Sequence, residues 1–349
     1  MTMPAAARRA LAIRRTILRL LAPAAPAASP HRERRKLSLA LQGGGSFGAF
    51  TWGVLDRLLE QDDIAIDAVS GVSAGAVNAV LLADGLAEGG PPAARRRLER
   101  FWRRIGTAAP LTNMAHAAAG TTALALDVST RVFSPYQFNP LGLNPLGQIL
   151  AAEVDFARLR QAAPIRLLLG ATRVKDGTLR LFRNDGITLD AVLASACLPH
   201  LNHAVAIDGE WYWDGGFSAN PPLRPLVLET EAEDIVIVQI TPQEKVGLPH
   251  LPHDIARRVS QITFNGPLQR EIEALADLTA LCSRRRYFRS RLCRKLQRMR
   301  LHRIAAEDRI EDLQQTSALT LNWPFLTRLK EAGRSAAEEL IAGLPRHRD

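Results

Sequence analysis

Gly71-Val72-Ser73-Ala74-Gly75 sets a serine between glycines two residues to either side, and Asp214-Gly215-Gly216 sets a carboxylate ahead of two more. A serine hydroxyl attacks an acyl carbon only when a base takes its proton, and the resulting oxyanion needs N–H donors already aimed at it. Ser73 is the candidate nucleophile for such chemistry and Asp214 the candidate base. A third stretch, Gly43-Gly44-Gly45-Ser46-Phe47-Gly48, offers the donors: the N–H groups of Gly44 and Gly45, joined by that of Ala74, form the natural set. Glycine suits this task because backbone without a Cβ comes close to a tetrahedral intermediate.

These residues need elements to hold them. The apolar run Leu37 to Gln42 reads as a strand, and Ala49 to Gln61 reads as a helix with Phe50, Val54, Leu55, Leu58 and Leu59 on one face, so the first glycines occupy a strand-to-helix turn. Ile66 to Val69 followed by the Ala-rich segment Ala74 to Leu86 gives the strand, sharp turn and helix of a nucleophile elbow. Ser73 then lies at the positive end of a helix. A hairpin, Ala204 to Ile207 and Glu210 to Trp213 about Asp208-Gly209, ends on Asp214. An aspartate becomes a useful base when burial raises its proton affinity, and Trp211, Tyr212 and Trp213 are the expected walls.

In this order the three motifs resemble the patatin-like phospholipase family, over roughly Leu37 to Val227. The resemblance implies a Ser73–Asp214 dyad with no catalytic histidine, and an oxyanion hole from the loop Gly43, Gly44, Gly45 with Ala74. Gly48, Gly71, Gly75, Gly215 and Gly216 then shape the turns. It also implies a three-layer α/β sandwich with a mostly parallel central sheet, and hydrolysis of carboxylic esters of phospholipids or lysophospholipids through an acyl-enzyme. Many members carry a basic residue in the loop where this chain has Ser46-Phe47, which removes a charge contact to phosphate from that loop.

Other readings stay open. An esterase acting on non-phospholipid acyl esters has the same motifs. Gly43, Gly45 and Gly48 also satisfy a dinucleotide fingerprint, with Asp62, Asp63 or Asp67 as the ribose acid of a nucleotide-dependent oxidoreductase. A non-catalytic lipid-binding module is a third alternative. His200 and His203 read as residues that shape the pocket, in or just after a segment, Ala194 to His200, expected to line it; a serine, acid, histidine order would need His250 or His253.

At 349 residues and 47% hydrophobic content the chain buries a large core. Its composition divides into a basic flexible tail over 1–36, a catalytic domain over 37–245 and a helical extension over 246–349. Within the catalytic part, Ile165 to Thr172 and Leu179 to Phe182 read as a hairpin, Leu189 to Cys197 as a short helix, and Asp234 to Thr241 as an interior strand of a parallel sheet. Ala108 to Leu126 holds no Asp, Glu, Lys or Arg and reads equally as a lid or a connection. Cys197, Cys282 and Cys293 give neither a disulfide framework nor a zinc pattern, which fits a reducing, cytoplasmic setting. No cofactor and no catalytic metal are expected. The N-terminal segment imitates a targeting sequence, but Arg19 interrupts its apolar run; a flexible tail is the reading adopted and secretion the alternative.

The formal net charge of +10 is uneven: residues 1–36 carry +8 and Arg284 to Arg303 carry +10, leaving an acidic body. The second segment has Phe288, Leu292, Leu296 and Met299 at helical spacing and reads as an amphipathic helix, docked on the body or lying on lipid. The partners expected are a lipid or acyl-ester substrate and an anionic membrane surface, with no nucleic acid. The oligomeric state is not read from the sequence.

Overall fold

The computed structural model describes residues 34–118 (side chains to 107), 134–244, 247–284, 290–310, 313 and 318–344. The expected tail up to residue 33, the side chains of the uncharged segment from Ala108, and Phe288 lie outside the described residues.

The elements are β1 (Arg35–Leu41), α1 (Gly48–Leu58), β2 (Ile64–Gly71), α2 (Ala74–Ala118), α3 (Pro145–Glu153), α4 (Phe156–Ala162), β3 (Arg166–Arg173), β4 (Leu179–Arg183), α5 (Leu189–Ser195), β5 (Val205–Ile207), β6 (Glu210–Asp214), α6 (Leu223–Glu229), β7 (Asp234–Gln239), α7 (Pro252–Arg284), α8 (Arg291–Arg298), β8 (Arg300–Ala305) and α9 (Trp323–Gly343). Strands β3, β2, β1, β7 and β8 run parallel, side by side in that order. The hairpins β3–β4 and β5–β6 add antiparallel strands at the β3 end.

Side-chain alternation along the strands makes two cores, one on each face of the sheet. Leu37, Leu39 and Leu41 of β1 with Val236 and Val238 of β7 pack in the larger core, against α1, α2 and α9. Ala40, Ile235 and Ile237 pack in the smaller one, against Leu223 and Leu226 of α6, Leu268 and Leu275 of α7, and Leu296 of α8. The result is the three-layer sandwich with a mostly parallel sheet. Strand β7 is buried along its whole length, as an interior parallel strand must be. Helix α2 breaks where Gly90 takes φ 70°, and its second limb starts at Pro91.

Four expectations need correction. Arg35 and Lys36 belong to β1 and not to the tail. The basic stretch after residue 284 is not one amphipathic helix: α8 ends when Met299 turns extended, and Arg300 to Ala305 become the edge strand β8. The cause is Asp234, 2% exposed, which accepts hydrogen bonds from Arg35, Arg300 and His302. Burial would raise its proton affinity, but those three donors outweigh burial and hold the carboxyl far below its usual range, so the arginines are drawn to the sheet. Residues beyond 245 therefore supply a strand as well as helices, and those from Arg35 onward form one unit. Finally, α7 and α8 bring Cys282 and Cys293 to a Cα–Cα distance of 5.3 Å, where they form a disulfide. The sequence reading missed it because the pairing depends on how α7 and α8 pack against each other, which the cysteine spacing does not announce.

Helix α9 closes the larger core by crossing α1 at glycines. A Cβ on Gly53 would sit 1.9 Å from the Lys330 carbonyl oxygen, and one on Gly333 would sit 2.1 Å from that of Phe50. Gly333→Val should separate the two helices and lower stability by about 3 kcal/mol, the cost of overpacking a closed contact. A denaturant midpoint equal to that of the parent chain would show that the crossing carries no such constraint.

Candidate active site

Strand β3 brings the serine and the carboxylate together. Its first half pairs with β2, ending at Gly71 opposite Leu169, and its second half pairs with β6, starting at Asp214 opposite Ala171. Since β4 occupies the other edge of β3, β2 and β6 share one edge and meet end to end across Gly170. Gly215 fits against that residue, since a Cβ there would lie 2.2 Å from the Gly170 carbonyl oxygen. Past Gly71 the chain turns into α2 through Ser73, whose φ of 52° is the left-handed strain of an elbow. Gly75 allows the turn to seat under the sheet: a Cβ there would come within 2.2 Å of the Leu41 carbonyl oxygen. Ser195 anchors the elbow, accepting the Ser73 N–H at both its carbonyl, 3.1 Å, and its hydroxyl, 3.0 Å.

Asp214 is wholly buried, with its backbone N–H held by the Cys197 carbonyl oxygen at 2.8 Å. Its Oδ1 accepts from the Gly216 N–H at 2.8 Å, while Oδ2 has no hydrogen-bond partner among the described residues. Burial pushes the carboxyl up to about 7, against the opposing pull of the Gly216 N–H and of the Ser73 hydroxyl. That hydroxyl stands near enough to act on the carboxyl without meeting full hydrogen-bond geometry. The neighbouring Cys197 thiol is pushed up to about 12, by burial and then by Asp214, which makes it a poor rival nucleophile at neutral pH.

The walls of this site differ from those expected. Trp211 is 55% exposed, and Tyr212 packs in the larger core against Phe182. The apolar cover comes from α7, where the Phe264 ring lies over Gly216. Gly44, Gly45, Phe47 and Ser73 line a cavity of about 420 Å³, closed by Leu198, the first turns of α7 and the Ala318-Leu319 segment.

The glycine loop is held from several sides. Asn220 Oδ1 accepts the Gly43 N–H at 2.7 Å, so that donor, counted in the expected oxyanion set, is already engaged. Ala318 accepts the Ser46 N–H, and the Thr241 hydroxyl donates to the Gly43 carbonyl oxygen. The N–H groups of Gly44, Gly45 and Ala74 have no partner among the described residues. Gly48 lets α1 start against Ala74, since a Cβ there would come within 2.7 Å of the Ala74 Cβ. Asn220 and Phe264 escaped the sequence reading because each reaches the glycine turns from a distant part of the chain and neither belongs to a motif, whereas Ser195 lies in the Ala194 to His200 segment expected to line the pocket.

The rival assignments fare unequally. Asp67 accepts from the Thr230 hydroxyl and the Glu231 N–H, and Asp62 and Asp63 precede β2; all three lie toward the strand starts, away from the glycine loop, which leaves a dinucleotide ribose without its acid. His203 stacks on Tyr136 at 4.1 Å and bonds to the Pro135 carbonyl oxygen, and neither it nor His200 nor His250 lines the cavity. His253 does line it, at the rim, with a half-exposed ring 3.5 Å from Asp254. Leu198 also lines it, as expected of the segment before His200.

Residues 39–227 match the family model described as patatin-like phospholipase. The chain belongs to the patatin-like phospholipase family. Family membership implies a lipid acyl hydrolase. Among solved structures the chain is similar to VipD from Legionella pneumophila, with 16% identity, a TM-score of 0.43, and coverage of 89% of this chain and 67% of that one. It is also similar to the ExoU–SpcU complex of the Pseudomonas aeruginosa type III secretion system, with 16% identity, a TM-score of 0.31, and coverage of 89% and 59%. This chain thus spans under two thirds of the second structure's chain. A comparison with curated proteins gives no match. In the glycine loop of this chain Ser46 and Phe47 are both buried, with the Phe47 ring edge-on to Phe325 of α9.

Proposed function

We propose that this chain cleaves carboxylic esters of phospholipids or lysophospholipids, with Ser73 as nucleophile and Asp214 as general base. The observation that carries the reading is the buried, half-unpartnered carboxylate of Asp214 beside a serine held in left-handed strain. Its raised proton affinity makes Asp214 a far stronger base than an exposed aspartate. Ser73 attacks the acyl carbon, its proton passes to Asp214 Oδ2, and the N–H groups of Gly44, Gly45 and Ala74 receive the oxyanion. Asp214 returns the proton to the departing alcohol, and water activated by the same carboxylate then releases the fatty acid and free Ser73. Gly43 supports this set from behind through Asn220 and does not donate to the substrate.

Phe47 favours a second reading, an esterase tolerant of uncharged head groups, since the glycine loop offers no cation to a phosphate. Peripheral work at a membrane from the aqueous side is part of the proposal. Among the described residues no helix is long and apolar enough to cross a bilayer. In a reducing cytoplasm, Cys282 and Cys293 would stand as thiols.

Fatty-acid release from a panel of phospholipids, lysophospholipids, neutral glycerides and short p-nitrophenyl esters tests both readings. Hydrolysis of the phosphate-bearing lipids is expected, with kcat/KM rising tenfold per pH unit below a midpoint near 7 and flat above it, because only the ionised Asp214 accepts the proton. Turnover confined to glycerides would select the second reading, and an acid midpoint near 4 would remove Asp214 as the base.

A further inference from the structure

The outward face of the first three turns of α7 carries no Asp, Glu, Lys or Arg. Its exposed residues between positions 251 and 263 are Leu251, Pro252, His253, Ile255, Ala256, Val259, Ser260, Ile262 and Thr263. Leu251, Ile255, Val259 and Ile262 follow one another at spacings of four, four and three, which stacks them along one side of a helix. Each is between 45% and 57% exposed, an unusual run of large apolar side chains in water. The charged residues of these turns are drawn to the flanks: Arg257 pairs with Asp254, and Arg258 donates to the Gln243 carbonyl oxygen. Ala256 and Ser260 belong both to this outward face and to the lining of the cavity that holds Ser73, so the apolar surface runs into the cavity without a break.

We propose that this face of α7 seats on the surface of a lipid bilayer and passes acyl chains over Ala256 and Ser260 toward Ser73. The inference rests on the lipid-hydrolase reading of that cavity. Two features select a bilayer over a second copy of the chain. Twelve residues of helix span about 18 Å and are about 10 Å wide, far short of the roughly 800 Å² per partner that a stable dimer needs. A shallow row of aliphatic side chains is instead what an interfacial helix sinks into the boundary between head groups and acyl chains. The groove in which Arg166 and four basic residues of α8 face Glu229, Glu231 and Glu233 lies at the opposite end of the sheet, beside the starts of β3 and β7. Attachment through that groove would hold Ser73 about one strand length, roughly 20 Å, away from the lipid.

The test uses the full chain carrying Ser73→Ala, so that vesicles are not consumed, and co-sedimentation with phosphatidylcholine vesicles at low salt and at 1 M salt. Binding is expected at both, because apolar insertion does not depend on charge screening. Adding Val259→Asp and Ile262→Asp should weaken it at least tenfold, whereas Arg291→Gln with Arg294→Gln should leave it unchanged. In the Ser73 background the two aspartates should leave hydrolysis of a short soluble ester within twofold of the parent while cutting release from vesicles at least tenfold. Undiminished sedimentation of the aspartate variant, loss of binding at 1 M salt, or a dimer in solution that the aspartates dissociate would each overturn the proposal. A chain that hydrolyses no ester yet binds vesicles through this face would refute the reading of the cavity and leave the docking surface standing.

Discussion

Asp214→Asn is expected to lower ester turnover by about three to four orders of magnitude, the usual scale for removing a catalytic group that acts with its partner as a unit. The change is nearly isosteric and keeps an acceptor for the Gly216 N–H, so the turn after β6 should survive. The same substitution should alter stability in a pH-dependent way whose sign follows from the proton affinity. An unfolded aspartate ionises near 4, but the folded one holds its proton until about 7. As pH rises between those values the unfolded chain has already released its proton, so the wild-type fold loses stability, by a few kcal/mol in total. Asparagine has no such titration. Relative to wild type, the variant should therefore gain stability between pH 4.5 and pH 8, read as the difference in urea midpoints. Any cost of burying the unpartnered amide is the same at every pH and cancels in that comparison. A constant difference across the range would mean that Asp214 ionises normally. His253→Ala, at the cavity rim, should keep turnover within about tenfold; a loss matching that of Asp214→Asn in a folded protein would transfer the role of base to the histidine.

Ser73→Ala should abolish labelling by a fluorophosphonate probe and reduce ester turnover to near the uncatalysed rate, a loss of at least about 10⁴-fold. Ser73 is 8% exposed at the floor of the cavity, in reach of a small electrophile. Ser46 and Ser70 are buried at 1% and 0%, which leaves them poor targets. The fold should persist, because the elbow is held through the Ser73 backbone N–H, which alanine retains. Mass spectrometry of the labelled peptide reads the site directly. Adduct on another serine, with turnover intact in the variant, would sink the assignment.

The two strand-to-helix turns and the hairpin ending at Asp214 were legible in the sequence because each is local. Alternating apolar runs specify strands, glycines specify tight turns, and the positive φ values of Asp208 and Gly209 fall where Asp-Gly predicts a hairpin turn. The three-layer class came with the family resemblance that these motifs carry, and the apolar run Asp234 to Thr241 agreed with it, since a strand buried on both faces must be covered on both sides.

Long-range pairing was not legible. Nothing in the spelling of Arg300 to Ala305 announces a strand, because its partner is Asp234, sixty-six residues or more away, and it is the buried carboxylate that draws the arginines and the histidine into register. The Cys282–Cys293 bond likewise depends on how α7 and α8 fold back. For the site, sequence named Ser73 and Asp214 as candidates but could not say what buries the carboxylate: Trp211 stands exposed and Tyr212 packs in the larger core, while the cover comes from Phe264, fifty residues further along the chain. The sequence by itself determined the candidate reactive groups and the turns that present them, since those turns follow from the conformations open to a few neighbouring residues. Only the tertiary structure decided that β2 and β6 end against one edge of β3, that Asn220 takes the Gly43 N–H, and that α7 covers the pair, because these contacts depend on strand register and helix packing between segments far apart in the chain.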